Sequence, residues 1–261
     1  MSLLESIILG IIQGLTEFLP VSSSGHLEIG KVLLNVELEE SLSFTVMVHF
    51  ATVLSTITVF FKEIKILFFD VLKFKWNPST KYFVKILISM IPVLIVGIFF
   101  QDKVESLFSG NLVLVGIALL FTALLLFLTT LVKTEGTKKI PFSDAFMMGL
   151  AQALAVIPGL SRSGSTIATG LLLKNKRDDV ARFSFLMVLI PIIGAALLKL
   201  LDLIEAPAGN VNFLPLIAGF LAAYISGYLA CKWMINIVKR GKLIWFAIYC
   251  GSVGMISIIF S

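Results

Sequence analysis

Residues 13–26 read QGLTEFLPVSSSGH, a stretch that sets a carboxylate, three consecutive hydroxyls and an imidazole into an otherwise apolar sequence. Glu17, Ser22, Ser23, Ser24 and His26 lie within ten positions of one another. Pro20 and Gly25 interrupt the run, and each is expected to stop a helix from passing straight through. A broken helix at membrane depth must line a cavity or pack against protein, because lipid offers the freed backbone groups no partners.

A second stretch, QALAVIPGLSRSGST at 152–166, aligns on the first without gaps at an offset of 139 residues. Gln152 falls on Gln13, Ser161 on Ser22, Ser163 on Ser24 and Gly164 on Gly25, while the prolines miss by one position. Arg162 and Ser165 replace Ser23 and His26. Small residues recur in membrane helices for packing reasons, but packing alone does not ask for a Gln and a Ser-x-Ser-Gly run at one constant offset. One copy therefore carries acid and imidazole, and the other carries guanidinium.

Working outward, 58% hydrophobic content in 261 residues, with only 14% charged, excludes an ordinary soluble domain. The mean hydropathy is +1.01. Repeated apolar runs of about twenty residues suit helices crossing a hydrocarbon core roughly 30 Å thick. A transmembrane barrel would show short alternating segments instead. Cys231 and Cys250 sit in apolar runs without CxxC or His-rich context, so neither zinc nor redox chemistry is expected of them. The first ten residues, MSLLESIILG, lack a basic n-region and contain Glu5, which argues against a cleaved signal peptide. A net charge of +5 would suggest nucleic acid in a soluble protein; here the basic residues flank apolar spans, and no nucleic-acid partner is expected.

The pattern predicts an all-α integral membrane protein, a single membrane domain over 1–261. A broken helical hairpin over 3–34 is followed by spans at 41–61, 82–100 and 112–132, then a second hairpin over 143–174 and spans at 182–201, 213–236 and 243–260. These are six transmembrane helices plus two re-entrant hairpins, with repeats over 1–132 and 141–261. Three crossings per half is an odd number, so the second repeat is inverted relative to the first. Charge agrees: sixteen basic residues fall in loops 62–85, 133–139, 174–182 and 239–242, against Lys31, Lys103 and Lys199 on the other side. Loops rich in Lys and Arg stay cytoplasmic. Glu37, Glu39, Glu40, Asp202 and Glu205 fall on the outer side. The segment 62–85, with Phe68, Phe69 and Trp76 among its lysines, reads as an amphipathic piece on the inner leaflet, by the same rule that places basic and aromatic belts.

An arginine inside the membrane costs about 2.5–3.5 kcal/mol on insertion scales, so Arg162 must face a polar site and a counter-anion, and Glu17 is the candidate. A purely structural ion pair between the hairpins is the simplest alternative. Against it stand Arg162's neighbours: Ser161, Ser163, Gly164, Ser165 and Thr166 at a helix start make a phosphate cradle of guanidinium, hydroxyls and backbone N–H groups. Glu17 and His26 are the candidate proton-handling groups. Ser22, Ser23 and Ser24 are candidate phosphate ligands or a nucleophile, with Gly25 freeing backbone beside them. Gln13, one turn before Glu17, supports the site, and Gln152 is its counterpart. His49, in VMVHFATV, reads as a packing residue.

QGLTE at 13–17 with FLPVSSSGH, together with PGLSRSGST at 158–166, resembles the undecaprenyl-diphosphate phosphatase family, known for bacitracin resistance. The resemblance spans the chain in length and span order; Gln13 stands where some relatives carry a second Glu. It implies hydrolysis of a polyprenyl diphosphate to the monophosphate and inorganic phosphate, at the outer face of the bacterial cytoplasmic membrane, recycling the carrier lipid for peptidoglycan synthesis. It further implies catalytic roles for Glu17, Ser23, His26 and Arg162, assisted by Ser161 and Ser163. A divalent cation, magnesium or calcium, is implied too, with Glu17 its one candidate ligand. A homodimer is among the expectations. The rival is a polyprenyl-phosphate transporter or flippase, because inverted repeats with broken helices are also transporter architecture. The inversion has a direct test. In a cysteine-free background, single cysteines at Ser79 and Asn210 are expected to react with an impermeant thiol reagent from opposite sides, and reaction from one side only would break the topology.

Overall fold

The computed structural model describes residues 1–36, 38–107, 111–132, 136–205 and 213–261, with backbone alone for 38–43, 105 and 195–205. Glu37 and Asn210 thus lie outside the described residues, as do the side chains of Glu39, Glu40, Lys199, Asp202 and Glu205. Among the described residues the chain forms twelve α-helices and no strand.

Local sequence explains where the first two helices start and stop. α1 (Leu3–Phe18) opens on a capping box, in which the Glu5 N–H donates to Ser2 Oγ and the Ser2 N–H donates to Glu5 Oε2. It ends because Leu19 precedes Pro20 and is driven to extended backbone (φ −72°, ψ 145°). α2 (Ser23–Leu34) restarts after four residues, with Ser22 Oγ accepting from the Gly25 N–H at 3.3 Å. The expected break at Gly25 is therefore corrected: Gly25 lies inside α2. What it supplies is space, since a Cβ there would sit 3.0 Å from Gly159 Cα.

α3 (Leu38–Val59) and α4 (Phe61–Val71) follow, with 76° between Phe44–Val59 and Phe61–Val71. The segment read as lying on the inner leaflet thus begins as a helix turned sharply away, with Ile66, Phe68 and Phe69 exposed. At its end, hydrogen bonds from Lys73 and Ser79 hold the partly exposed Asp70 carboxyl below the usual carboxylate range. α5 (Pro78–Phe99) starts earlier than the expected residue 82, because Asn77 caps it and Pro78 suits a first helical turn. α6 (Gln101–Ser106) and α7 (Leu112–Leu131) complete the first half. α8 (Phe142–Leu154) and α9 (Arg162–Leu172) form the second broken pair, then come α10 (Arg177–Glu205), α11 (Phe213–Arg240) and α12 (Ile244–Ile259).

Among the described residues, α5, α7 and α11 are long and apolar enough to cross a bilayer, and the bent α3–α4 pair passes the same test as one broken span. Ile98, Phe99, Leu214, Ile225, Trp245 and Phe260 are all more than half exposed. Such an apolar exterior is that of an integral membrane protein.

α1 runs along α11, α8 along α5 and α7 along α12. Two glycines 139 positions apart permit the first two contacts: a Cβ at Gly10 would meet Gly219 O at 2.4 Å, and one at Gly149 would meet Ser89 O at 2.2 Å. The helix breaks are gripped alike. The Cys250 thiol donates to Pro20 O at 3.5 Å, and the Thr122 hydroxyl to Gly159 O at 3.5 Å; Pro20 and Gly159 are again 139 apart. Asn35 (φ 52°) and Lys174 (φ 61°), another such pair, take left-handed backbone as their hairpins end. Phe185 ties the core together, with its ring 6.0 Å from Phe18 and 6.1 Å from Phe60.

Because a Cβ at Gly10 or Gly149 would strike backbone, Gly10→Ala and Gly149→Ala are each expected to cost about 1–3 kcal/mol of stability. Gly97, with nothing within 4 Å, is the control. Gly97→Ala should leave the melting temperature in detergent unchanged or slightly raised.

Candidate active site

The two hairpin breaks meet. Besides the Gly25 approach to Gly159, the Ser163 hydroxyl donates to Leu19 O at 3.1 Å, and a Cβ at Gly164 would lie 3.3 Å from Pro20 Cβ. The N-termini of α2 and α9 therefore converge, and each brings the positive end of a helix dipole to the same place. Ser161 Oγ caps α9 by accepting from the Gly164 N–H at 3.0 Å, and the Ser161 N–H donates to Thr122 Oγ1 at 3.0 Å.

Glu17, in the last turn of α1, is the negative counterpart. Its Oε2 accepts from the Ser23 hydroxyl at 2.6 Å and from the Gln13 amide at 3.0 Å. Its Oε1 lies 3.5 Å from an Arg162 guanidinium nitrogen, and the Glu17 side chain is 7% exposed against 29% for Arg162. A carboxylate in so short a contact with a hydroxyl is placed to take its proton. The Arg162 fork is the more accessible of the two and can reach a bound anion.

His26 does not join this cluster, although it lies only three positions on from Ser23. Both sit in the first turn of α2, and the imidazole turns toward α12, where Nε2 lies 2.8 Å from the Tyr249 hydroxyl and Nδ1 2.9 Å from Ser22 O. The partner of Ser23 is therefore Glu17, not His26. Ser22 holds left-handed backbone at φ 69°, an uncommon conformation for a residue with a Cβ, and its hydroxyl lies 3.3 Å from that of Ser24.

Several expected phosphate ligands are otherwise engaged. The N–H groups of Gly25 and Gly164 point to capping hydroxyls. The Thr166 hydroxyl bonds back to Arg162 O and to Ser184 of α10, as a helical threonine four residues on commonly does. Ser161 and Ser163, with hydroxyls 3.4 Å apart, remain at the α9 start. Gln152 is fully buried, and neither side-chain polar atom has a partner among the described residues. Where Gln13 has Glu17 four residues on, Gln152 has Val156.

A cleft with about 380 Å³ of empty space, part of it open to the outside, runs from Glu17, Arg162 and Ser163 between α3 and α10. Phe18, Val53, Phe185, Val188, Leu189 and Ile192 form its apolar wall. Thr52, Thr56 and Ser184 also line it and were not singled out from sequence. Thr52 and Thr56 are legible as a hydroxyl pair on one helix face, but nothing local says that the face meets Glu17. His49, read as a packing residue, is placed within electrostatic reach of Glu17. Among the described residues no group of three or more His, Cys, Asp or Glu side chains could hold a metal.

Apolar exterior and paired broken helices define an integral membrane protein, with a carboxylate-bound serine beside a guanidinium where the breaks meet. The chain belongs to the bacitracin resistance protein BacA family, whose profile matches residues 6–256. It is 57% identical to an undecaprenyl-diphosphatase of Bacteroides fragilis over 98% of this chain and 97% of that one. It is 56% identical to one of Parabacteroides distasonis, over 99% and 98% of the two chains. An undecaprenyl-diphosphatase of Halothermothrix orenii is 39% identical over 99% and 98%.

If the converging helix starts and Arg162 form an anion site, inorganic pyrophosphate should raise the melting temperature of the detergent-purified protein. Arg162→Lys keeps the charge but loses the planar fork. It should remove most of that rise, while the anion-free melting temperature stays within about 3 °C, a small change on the usual scale of single substitutions.

Proposed function

We propose that this chain hydrolyses undecaprenyl diphosphate to undecaprenyl phosphate and inorganic phosphate, recycling the carrier lipid for peptidoglycan synthesis and conferring resistance to bacitracin. One observation carries the reading: Ser23 Oγ is hydrogen-bonded to Glu17 at 2.6 Å where two helix N-termini and Arg162 converge. A diphosphate brings negative charge to that convergence, and the apolar wall of Phe18, Phe185, Val188 and Leu189 suits its polyprenyl tail.

In this mechanism Ser23 Oγ attacks the terminal phosphorus and its proton passes to Glu17. The bond from that phosphorus to the bridging oxygen breaks, and the lipid monophosphate leaves. Protonation neutralises Glu17 as Arg162 turns from it to the phosphoryl oxygens, where charge gathers in the transition state. Glu17 gives the proton to the departing phosphate, then takes one from the water that attacks the phosphoserine and returns it to Ser23. The overall reaction consumes one water and regenerates the serine. A divalent cation, magnesium or calcium, would have Glu17 as its one protein carboxylate here, and it would supply positive charge to offset that of the diphosphate.

For the membrane arrangement, we take α1–α2 and α8–α9 as re-entrant hairpins, and α3, α5, α7, α10, α11 and α12 as six crossings. The halves 1–132 and 141–261 are then inverted, with the site open to the outer face of the cytoplasmic membrane. The paired contacts of Gly10 and Gly149, and of Pro20 and Gly159, support this reading.

Phosphate release by purified protein in detergent, where no compartments exist, separates an enzyme from a transporter. Ser23→Ala and Glu17→Gln are each expected to lower turnover by at least about a thousand-fold, and the double variant no further, because they act as a unit. Acid quench should trap phosphoserine at position 23. Substantial turnover by Ser23→Ala would hand the attack to water, and an acid-labile adduct at position 26 would hand it to His26.

A further inference from the structure

Tyr249 lies in α12, outside both motifs. Its hydroxyl is 2.8 Å from Nε2 of His26, and the two rings lie nearly parallel, 13° apart with centroids at 5.5 Å. At the other end of the imidazole, Nδ1 is 2.9 Å from the Ser22 carbonyl oxygen. A carbonyl oxygen only accepts, so Nδ1 carries the hydrogen; in the neutral ring Nε2 is then the acceptor, and the phenol donates to it. The Ser22 carbonyl is aimed by the left-handed backbone at that residue and also accepts the His26 N–H at 3.1 Å. The ring is held at both ends in one tautomer.

The second half of the molecule serves as an internal control. Thr122 of α7 and Cys250 of α12 make matching bonds to Gly159 and Pro20, so α12 matches α7 at an offset of 128. Tyr249 then corresponds to Phe121, and His26, at the hairpin offset of 139, corresponds to Ser165. The two aromatic rings are equally half-exposed, 45% for Tyr249 and 49% for Phe121. The Ser165 hydroxyl is buried without a partner among the described residues. A ring therefore stands at both equivalent places, but a phenol oxygen stands only where an imidazole receives its hydrogen. If the position needed packing alone, phenylalanine would serve, as it does in α7.

We propose that Tyr249 is a positioning residue for the reaction: its hydroxyl donates to Nε2 and, with the Ser22 carbonyl at Nδ1, holds the His26 ring turned away from Ser23 and toward α12. The proposal rests on the reading that His26 belongs to the reaction site. It explains why Ser23, three residues from a histidine, is left to Glu17. In the reaction, Nε2 is the atom available for a proton from water or phosphate once the phenol yields it.

The test is Tyr249→Phe, which places in α12 the residue that α7 already carries. The chain has two histidines, His26 and His49, so nitrogen-15 imidazole signals of the detergent-purified protein can be assigned by their loss in His26→Ala. Tyr249→Phe is expected to remove the hydrogen bond at Nε2, read as a shift of the His26 Nε2 signal, while Nδ1 keeps its hydrogen on the Ser22 carbonyl. It should lower kcat for phosphate release roughly ten-fold, less than a charged orienting partner contributes, with KM changed less than about two-fold. In a His26→Ala background the same substitution should cause no further loss. An unchanged His26 signature in Tyr249→Phe, or an equal loss of kcat in the His26→Ala background, would overturn the proposal. Full turnover by His26→Ala would sink the reading of His26 as a site residue instead, and the nitrogen-15 signature would still decide whether Tyr249 holds the ring.

Discussion

The carboxylate of Glu17 and the guanidinium of Arg162 come from opposite halves of the chain and meet where both hairpins break. A carboxylate only 7% exposed is costly without a partner charge, and each of the two justifies the other's presence there. Their pairing is also loose, at 3.5 Å and through one nitrogen. An ion pair built for stability would be bidentate and closed. Held between a short bond to Ser23 and a long contact to Arg162, Glu17 is instead placed to exchange a proton on one side and a counter-ion on the other.

That placement requires two backbone interruptions to be brought into contact and kept there. Leu19 and Gly159 expose carbonyl oxygens in the breaks, and these are taken up by Ser163 and Thr122, while Cys250 takes that of Pro20. Backbone polar groups without water must find such partners. The helices behind the breaks are held by close approaches at Gly10 and Gly149, where no side chain intervenes. The reacting groups thus sit on rigid elements rather than on loose loops, a condition for holding donors and acceptors within tenths of an ångström.

The site contains a single carboxylate beside the serine. Gln13, one turn before Glu17, donates its amide to the same oxygen that receives the Ser23 hydroxyl. A neutral donor there pairs with the carboxylate without the repulsion that a second carboxylate would introduce.

From sequence alone the class of the molecule follows, because 58% apolar content with most basic residues gathered in the loops leaves no soluble alternative. The helix breaks are legible as well, since proline restricts both its own residue and the one before it, an entirely local effect. So are the polar residues of the site, for a Glu, a His or an Arg in an apolar run has few reasons to be there. What the chain order does not carry is which of them touch. His26 is three residues from Ser23 and turns away from it, Glu17 is six residues away and binds it, and Arg162 arrives from 145 positions further on. Tyr249, Thr122, Thr52 and Ser184 lie in helices that look like ordinary spans, and only packing turns them toward the breaks. Gln152 repeats Gln13 letter for letter, yet it has no carboxylate to meet. Residue type and backbone restriction are written locally, whereas a hydrogen bond depends on distance and direction between elements, and those arise only when the two halves pack.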